Sequence, residues 1–161
     1  MFLEELELHN KQLSKIEKKM ERGLAQIPYS KFIMSIKGIG TISAAVIIGE
    51  VGDLRKYKTK RELLKLAGLN LYEISSGNHK GEKHISKRGR SLLRKILFYA
   101  AINVTRKGGI LHDVYQSHLE KGMKKVQALT AISRKLLGII YALVRDSVNY
   151  IEGYGKISKV A

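Results

Sequence analysis

The sequence predicts an all-α fold: a compact helical domain with an N-terminal helical arm and one irregular loop or small hairpin near residues 70–87. Three observations predict it. Apolar residues recur at helical spacing through most of the chain. Pro28, the only proline, marks one clear break, because the residue before a proline is pushed out of helix. Residues 70–87, rich in Ser, Gly, Asn, His and Lys, lack a sustained apolar period.

Taken in order, residues 2–26 carry Phe2, Leu6, Leu13, Ile16 and Met20 as one apolar stripe among alternating Glu and Lys. Five acids balance five bases there, so the arm carries no net basic signal. A lone helix with one apolar seam needs a partner, and a coiled-coil arm that pairs with another copy is expected, with packing back on the domain as the alternative. The compact domain then covers 28–161. Helices are expected near 31–36, 41–50 and 60–67, the last opened by a Thr59-Lys60-Arg61-Glu62 capping box and closed by Gly68. Longer helices follow near 90–106, 110–121 and 124–150. In the last, Leu129, Ile132, Leu136, Ile139, Ile140 and Leu143 form a core stripe, with Arg134, Lys135 and Arg145 on other sides.

A chain of 161 residues fits one domain plus an arm. Thirty Lys and Arg against fourteen Asp and Glu leave a formal charge of +16, which repels itself unless a polyanion is near. Nucleic acid is the leading partner. A basic membrane-surface protein would concentrate its charge along an amphipathic helix or beside a lipidation signal, and neither is visible. The uncharged runs at 96–105 and 136–144 are about half of the roughly 20 residues a bilayer span requires. The acidic start MFLEELELHN does not read as a secretion signal, and the absence of Cys excludes disulfides and thiolate metal ligands. A cytoplasmic protein is expected.

Two constellations carry chemistry. The first is Ser35-Ile36-Lys37-Gly38-Ile39-Gly40-Thr41-Ile42-Ser43-Ala44-Ala45, which reads as a helix-hairpin-helix motif. Its glycines permit close backbone approach to a phosphate, and exposed N–H groups with the helix dipole at 40–43 favour an anion. Lys37, Gly38, Ile39, Gly40 and Thr41 are the candidate nucleic-acid-binding residues, with Ile39 plugging the gap between helices. Such a motif positions nucleic acid without reading sequence. A plain packing turn fits the same residues.

The second runs from 78 to 107, where nine bases stand against Glu82, giving +8, half of the net charge. Lys87, Arg88, Arg90 and Arg94 are its candidate phosphate contacts, Arg90 and Arg94 sharing one helix face at a spacing of four. A solvated surface is the competing reading. Just before it, Ser75-Ser76-Gly77 offers two hydroxyls that could attack a phosphodiester beside those cations, although an ordinary turn has the same composition. His79 and His84 lack the one-face spacing of a metal pair and read as solvated loop residues, so no metal site is assigned.

Several blocks occur in order: Ile36-Lys37-Gly38-Ile39-Gly40, Gly49-Glu50-Val51-Gly52-Asp53-Leu54, Leu66-Ala67-Gly68-Leu69, Ser75-Ser76-Gly77, Ile85-Ser86-Lys87-Arg88-Gly89, Leu92-Leu93-Arg94 and Arg134-Lys135-Leu136-Leu137. Over roughly 30–145 they resemble the C-terminal domain of IS110-type insertion-sequence transposases. That resemblance implies a two-part recombinase: an N-terminal RuvC-like domain with metal-binding acids, a helical linker matching residues 1–26, and a C-terminal domain with a helix-hairpin-helix and a catalytic serine. It implies Ser76 as nucleophile, with Ser75 as fallback, and a phosphoserine that conserves bond energy for rejoining. It also implies a structured guide-like RNA partner and an assembly of several subunits.

The acids Glu50, Asp53, Glu62 and Glu73 form no recognisable metal site. No cofactor is therefore expected in this chain, Mg belonging to the acidic domain it lacks. A part or remnant of the enzyme is expected, which would not complete transposition alone. Where the family pattern has proline, this chain has Lys37 and Asn70. Two other readings stay open: a non-catalytic module binding DNA or structured RNA, and an interaction domain oligomerising through residues 1–26.

Overall fold

The computed structural model describes residues 1–73 and 83–152. These hold seven α-helices and one two-stranded sheet, in the order α1 (Phe2–Ala25), α2 (Ser30–Met34), α3 (Thr41–Val51), α4 (Lys60–Leu66), β1 (Leu71–Glu73), β2 (Lys83–Ile85), α5 (Ser91–Val104), α6 (His112–Glu120) and α7 (Lys125–Asp146). A 3₁₀ turn at Leu54–Lys56 joins α3 towards α4. The all-helical expectation holds.

The core forms where the apolar periods of α2 to α7 converge. Ile33, Ile36, Ile47, Leu63, Leu93, Leu97, Ile132, Leu136, Leu137 and Ile140 are all sealed from solvent. At this density each large aliphatic side chain contributes about 1.5–3 kcal/mol relative to exposure. Helix α7 is the central element, in contact with α2, α4, α5 and α6. It is long and apolar enough in composition to cross a membrane, but its apolar stripe is consumed by the core. A buried Ser133 hydroxyl donates to Leu97 O at 3.3 Å and to Leu129 O at 2.9 Å, stitching α7 to α5 through their interior faces.

Helix α1 behaves differently. Only Leu24 in its last turn is buried, whereas Phe2 (82%), Leu6 (56%), Leu13 (57%) and Ile16 (50%) face solvent. Its last turns rest on α3, and the buried Ser30 hydroxyl donates to Leu24 O at 2.8 Å, tying its end to the start of α2.

Most helix ends follow their local chemistry. Gly68, at φ +66°, closes α4 in a Schellman arrangement: its N–H donates to Lys65 O at 3.0 Å and Leu69 N–H to Leu64 O at 2.8 Å. The capping box at 59–62 is only half realised. Glu62 accepts from Lys58 N and from the Thr59 hydroxyl, both at 3.3 Å, so Thr59 donates to the carboxylate instead of accepting from the helix. The last helix ends at Asp146, short of residue 150, because Ser147 turns left-handed at φ +54° and Val148 N–H bonds back to Leu143 O. Residues 70–87 resolve, where described, into the small hairpin, with Leu71 opposite Ile85, Tyr72 opposite His84 and Glu73 opposite Lys83.

Candidate functional site

Helix α5 organises both predicted constellations, one at each end. It runs beside α3, and the two are antiparallel: the turn before α3 packs on Asn103 and Val104, while Glu50 near the end of α3 pairs with Arg90 before α5. The 14 residues of α5 separate the constellations by about 20 Å.

At the C-terminal end lies the turn of residues 35–40. Ile36 and Ile39 are buried, and Lys37, Gly38 and Gly40 are exposed. Gly38 sits at φ +105°, and a side chain there would press on Val104 Cγ1 at 3.2 Å and Val104 N at 3.4 Å. Glycine is required here both by conformation and by close packing on α5. Gly40 caps α3 in extended conformation, so no side chain caps the first-turn N–H groups, and no acid sits in that turn. The N-terminus of α3 thus keeps its positive dipole end without a side-chain cap or an acid in its first turn. The turn is also fastened from behind. The Ser35 hydroxyl donates to Phe32 O at 2.6 Å and accepts from Tyr150 N–H at 2.7 Å, pinning the segment that follows α7. Arg106 and Lys107, both exposed, follow the end of α5 on this side.

At the N-terminal end, the chain leaving β2 crosses the end of α4 at backbone distance. Lys87 N–H donates to Gly68 O at 2.9 Å, Arg90 N–H to Leu66 O at 2.7 Å and Ser86 N–H to Asn70 O at 2.8 Å. A Cβ on Gly89 would collide with the Leu66 carbonyl oxygen and the Gly68 nitrogen, so the crossing admits only glycine. Lys87 is held at φ +53°, a conformation costly for a residue with a side chain.

The four cations predicted here divide into two kinds. Lys87 and Arg88 are exposed and form no ion pair among the described residues. Arg90 lies 3.7 Å from Glu50, a half-exposed pair of small energetic weight. Arg94 turns inward: its Nη1 donates to Ala67 O at 3.1 Å and to Lys87 O at 3.3 Å. It braces the crossing by binding carbonyls on both segments.

Ser75 and Ser76 lie outside the described residues, as does His79, and the strands β1 and β2 that lead to them flank that segment. His84 faces Tyr72 across the hairpin, ring centroids 6.1 Å apart. Among the described residues, no three His, Asp or Glu side chains gather where a metal could bind.

The hairpin's foot stands between two grooves. One, of about 460 Å³, is lined by Arg61, Glu62, Leu64, Lys65, Asn70, Leu71 and Arg134. The other, about 500 Å³, lies between Leu69, Ile85, Lys87, Lys95, Phe98 and Tyr99 on one side and Val126 and Thr130 of α7 on another. Arg134 is a site residue that spacing alone did not single out. It reaches from α7 to donate its Nε to Leu69 O at 2.9 Å, and burial pushes its guanidinium below the usual arginine value.

The chain's relatives set its class. It is 28% identical over 123 residues to the insertion element IS110 uncharacterized 43.6 kDa protein of Streptomyces coelicolor, covering 76% of this chain and 30% of the relative. It is 28% identical to a probable family 20 transposase of Pseudomonas aeruginosa, covering 93% of this chain and 45% of the relative. A pilin gene-inverting protein of Moraxella bovis is 31% identical over 73% of this chain and 37% of its own length. They are an insertion-element protein, a probable transposase and a gene-inverting protein, and the chain spans less than half of each. Within that class it belongs to the Transposase IS116/IS110/IS902 family, whose model matches residues 30–116. That match covers the stretch from α2 into α6, including both ends of α5.

Proposed function

We propose that this chain is the DNA-binding, serine-bearing C-terminal part of a transposase, which grips the phosphate backbone and supplies the nucleophile for strand cleavage and rejoining. The observation that carries the reading is the hairpin foot: the strands leading to Ser75-Ser76-Gly77 are set between Arg61, Lys65 and Arg134 on one side and Lys87 and Lys95 on the other. Cations so placed suit a transition state that accumulates negative charge on phosphate oxygens.

In this mechanism Ser76 Oγ attacks phosphorus and loses its proton, and the bond from phosphorus to a deoxyribose oxygen breaks. That oxygen leaves with a proton, and the DNA end remains joined to the serine as a phosphodiester. Attack by an incoming deoxyribose hydroxyl reverses the step and releases the serine. Ser75 is the fallback nucleophile. Mg belongs to acids outside this chain. The turn with Lys37, Gly38, Ile39, Gly40 and Thr41 acts as a helix-hairpin-helix whose uncapped α3 N–H groups donate to a backbone phosphate. Lys87, Arg88 and Arg90 extend that contact to the other end of α5, with Arg94 supporting them from beneath. The exposed stripe of α1 pairs with a second copy, and a structured RNA is a further partner that the family resemblance supports.

The test is cleavage by the full-length enzyme. Ser76→Ala abolishes strand cleavage and the covalent protein–DNA adduct while DNA affinity stays within about twofold, since a hydroxyl makes one neutral contact among many ionic ones. Undiminished cleavage by that variant, with loss in Ser75→Ala, transfers the role to Ser75. Full activity in both reduces the chain to a non-catalytic DNA-binding module.

A further inference from the structure

Most cations of this chain lie in water, where an unpaired charge costs little. Arg134 does not. It is half-buried at the hairpin foot, and its one hydrogen bond among the described residues runs from Nε to Leu69 O. No carboxylate among the described residues pairs with it. A guanidinium has five N–H donors, so most of its capacity and all of its charge are left without a partner among the described residues. Burial lowers its pKa from the usual arginine value.

The surroundings add charge. The groove it enters is shared with Arg61 and Lys65, both exposed, and with Asn70. Glu62, the one acid among its described lining residues, is engaged with Lys58 N–H and the Thr59 hydroxyl at the start of α4. A partly desolvated arginine beside two more cations is unfavourable in the free protein and becomes favourable once an anion arrives. The Nε bond fixes the plane of the guanidinium, and a fixed planar fork recognises two oxygens of one phosphate.

We infer that Arg134, Arg61 and Lys65 form a phosphate site at the foot of the hairpin, on the side opposite Lys87, which takes one phosphodiester of the DNA backbone. The inference rests on the DNA-binding reading above and adds a third contact to the two ends of α5. Arg134 is the anchored member, and Arg61 and Lys65 close over the bound phosphate from α4.

The test compares duplex-DNA binding by the full chain across a salt series for the wild type, Arg134→Gln and Arg61→Gln. Each phosphate contact contributes about 0.9 to the log–log slope on B-DNA. Both variants are expected to lower the slope by close to that amount and to weaken binding about tenfold at low salt. Arg61 is exposed on α4, so its variant reports on the site even if Arg134→Gln perturbs the fold. A steep wild-type slope left unchanged by Arg61→Gln and by a folded Arg134→Gln overturns the site and leaves the DNA-binding reading standing. Should Arg134→Gln unfold, an unchanged slope in Arg61→Gln overturns it alone. A flat wild-type slope overturns both. A final arm titrates inorganic phosphate: saturable sub-millimolar binding that Arg134→Gln removes, without any change in DNA slope, assigns the site to a free phosphate and overturns the DNA contact.

Discussion

The two ends of α5 solve the same problem in different ways. At the C-terminal end the chain presents backbone: Gly38 lies against Val104, Ile39 enters the core, and the first N–H groups of α3 face outwards without a cap. At the N-terminal end it presents side chains, but only after a structural outlay, because two stretches of backbone must cross at Gly68 and Gly89 with Arg94 binding carbonyls of both. The difference teaches that charge in a sequence is not charge available to a ligand. Of two arginines four residues apart, one faces Glu50 at the surface and the other is built into the crossing.

The largest effect should come from the crossing itself. Gly89→Ala drives a methyl into the backbone of Leu66 and Gly68, and we expect a loss of about 3 kcal/mol or more, read as a fall in melting temperature of roughly 10 °C. A melting curve that matches the wild type would show that the two backbones can separate freely. Next, Arg94→Ala leaves the Ala67 and Lys87 carbonyls unpaired and should cost about 2 kcal/mol in denaturant titration. If it instead lowered the salt slope of DNA binding at unchanged stability, the division between structural and available arginines would collapse.

Gly38→Ala should cost about 1–2 kcal/mol, from its positive φ and from Val104. The contrast is sharpened by Lys87→Gly. Relief of the left-handed backbone should raise stability by about 1 kcal/mol while removing a cation, so thermal stability and DNA affinity should move in opposite directions. The smallest effect is expected at Asp53. Arg55, bonded to both carboxylate oxygens, holds the Asp53 carboxyl below the ordinary carboxylate value. The stabilisation is therefore present at neutral pH and is lost as pH falls through that depressed value. Asp53→Asn should leave melting at pH 7 almost unchanged and slightly flatten its decline in acid.

Helical periodicity made the architecture legible in the sequence, and glycine chemistry made some of its boundaries legible too. Gly68 ended α4 as its position required, and residues 70–87 formed a hairpin where described. Helix α7 escaped by four residues because its stop is a left-handed Ser147, with no glycine or proline to announce it. The site was less legible. Spacing predicted one helix face for Arg90 and Arg94, but Arg90 is the extended cap before α5 and Arg94 turns to the end of α4, which spacing could not reveal. Arg134 looked like surface decoration on a core helix until the carbonyl of Leu69, 65 residues away in sequence, came to meet it. Such assignments depend on long-range crossings that no local pattern records.

The exposed arm has a mechanical consequence. A 24-residue helix is a rod of about 36 Å, so a 10° swing about its anchor at Leu24 carries the far end through about 6 Å. Fastening is concentrated near the fulcrum, through the buried Leu24, the bond from Ser30 and the last turns resting on α3, while the apolar residues from Phe2 to Ile16 face solvent. The arm is therefore a lever: small angular changes where α1 meets α2 and α3 are amplified into displacements larger than a hydrogen bond at Phe2.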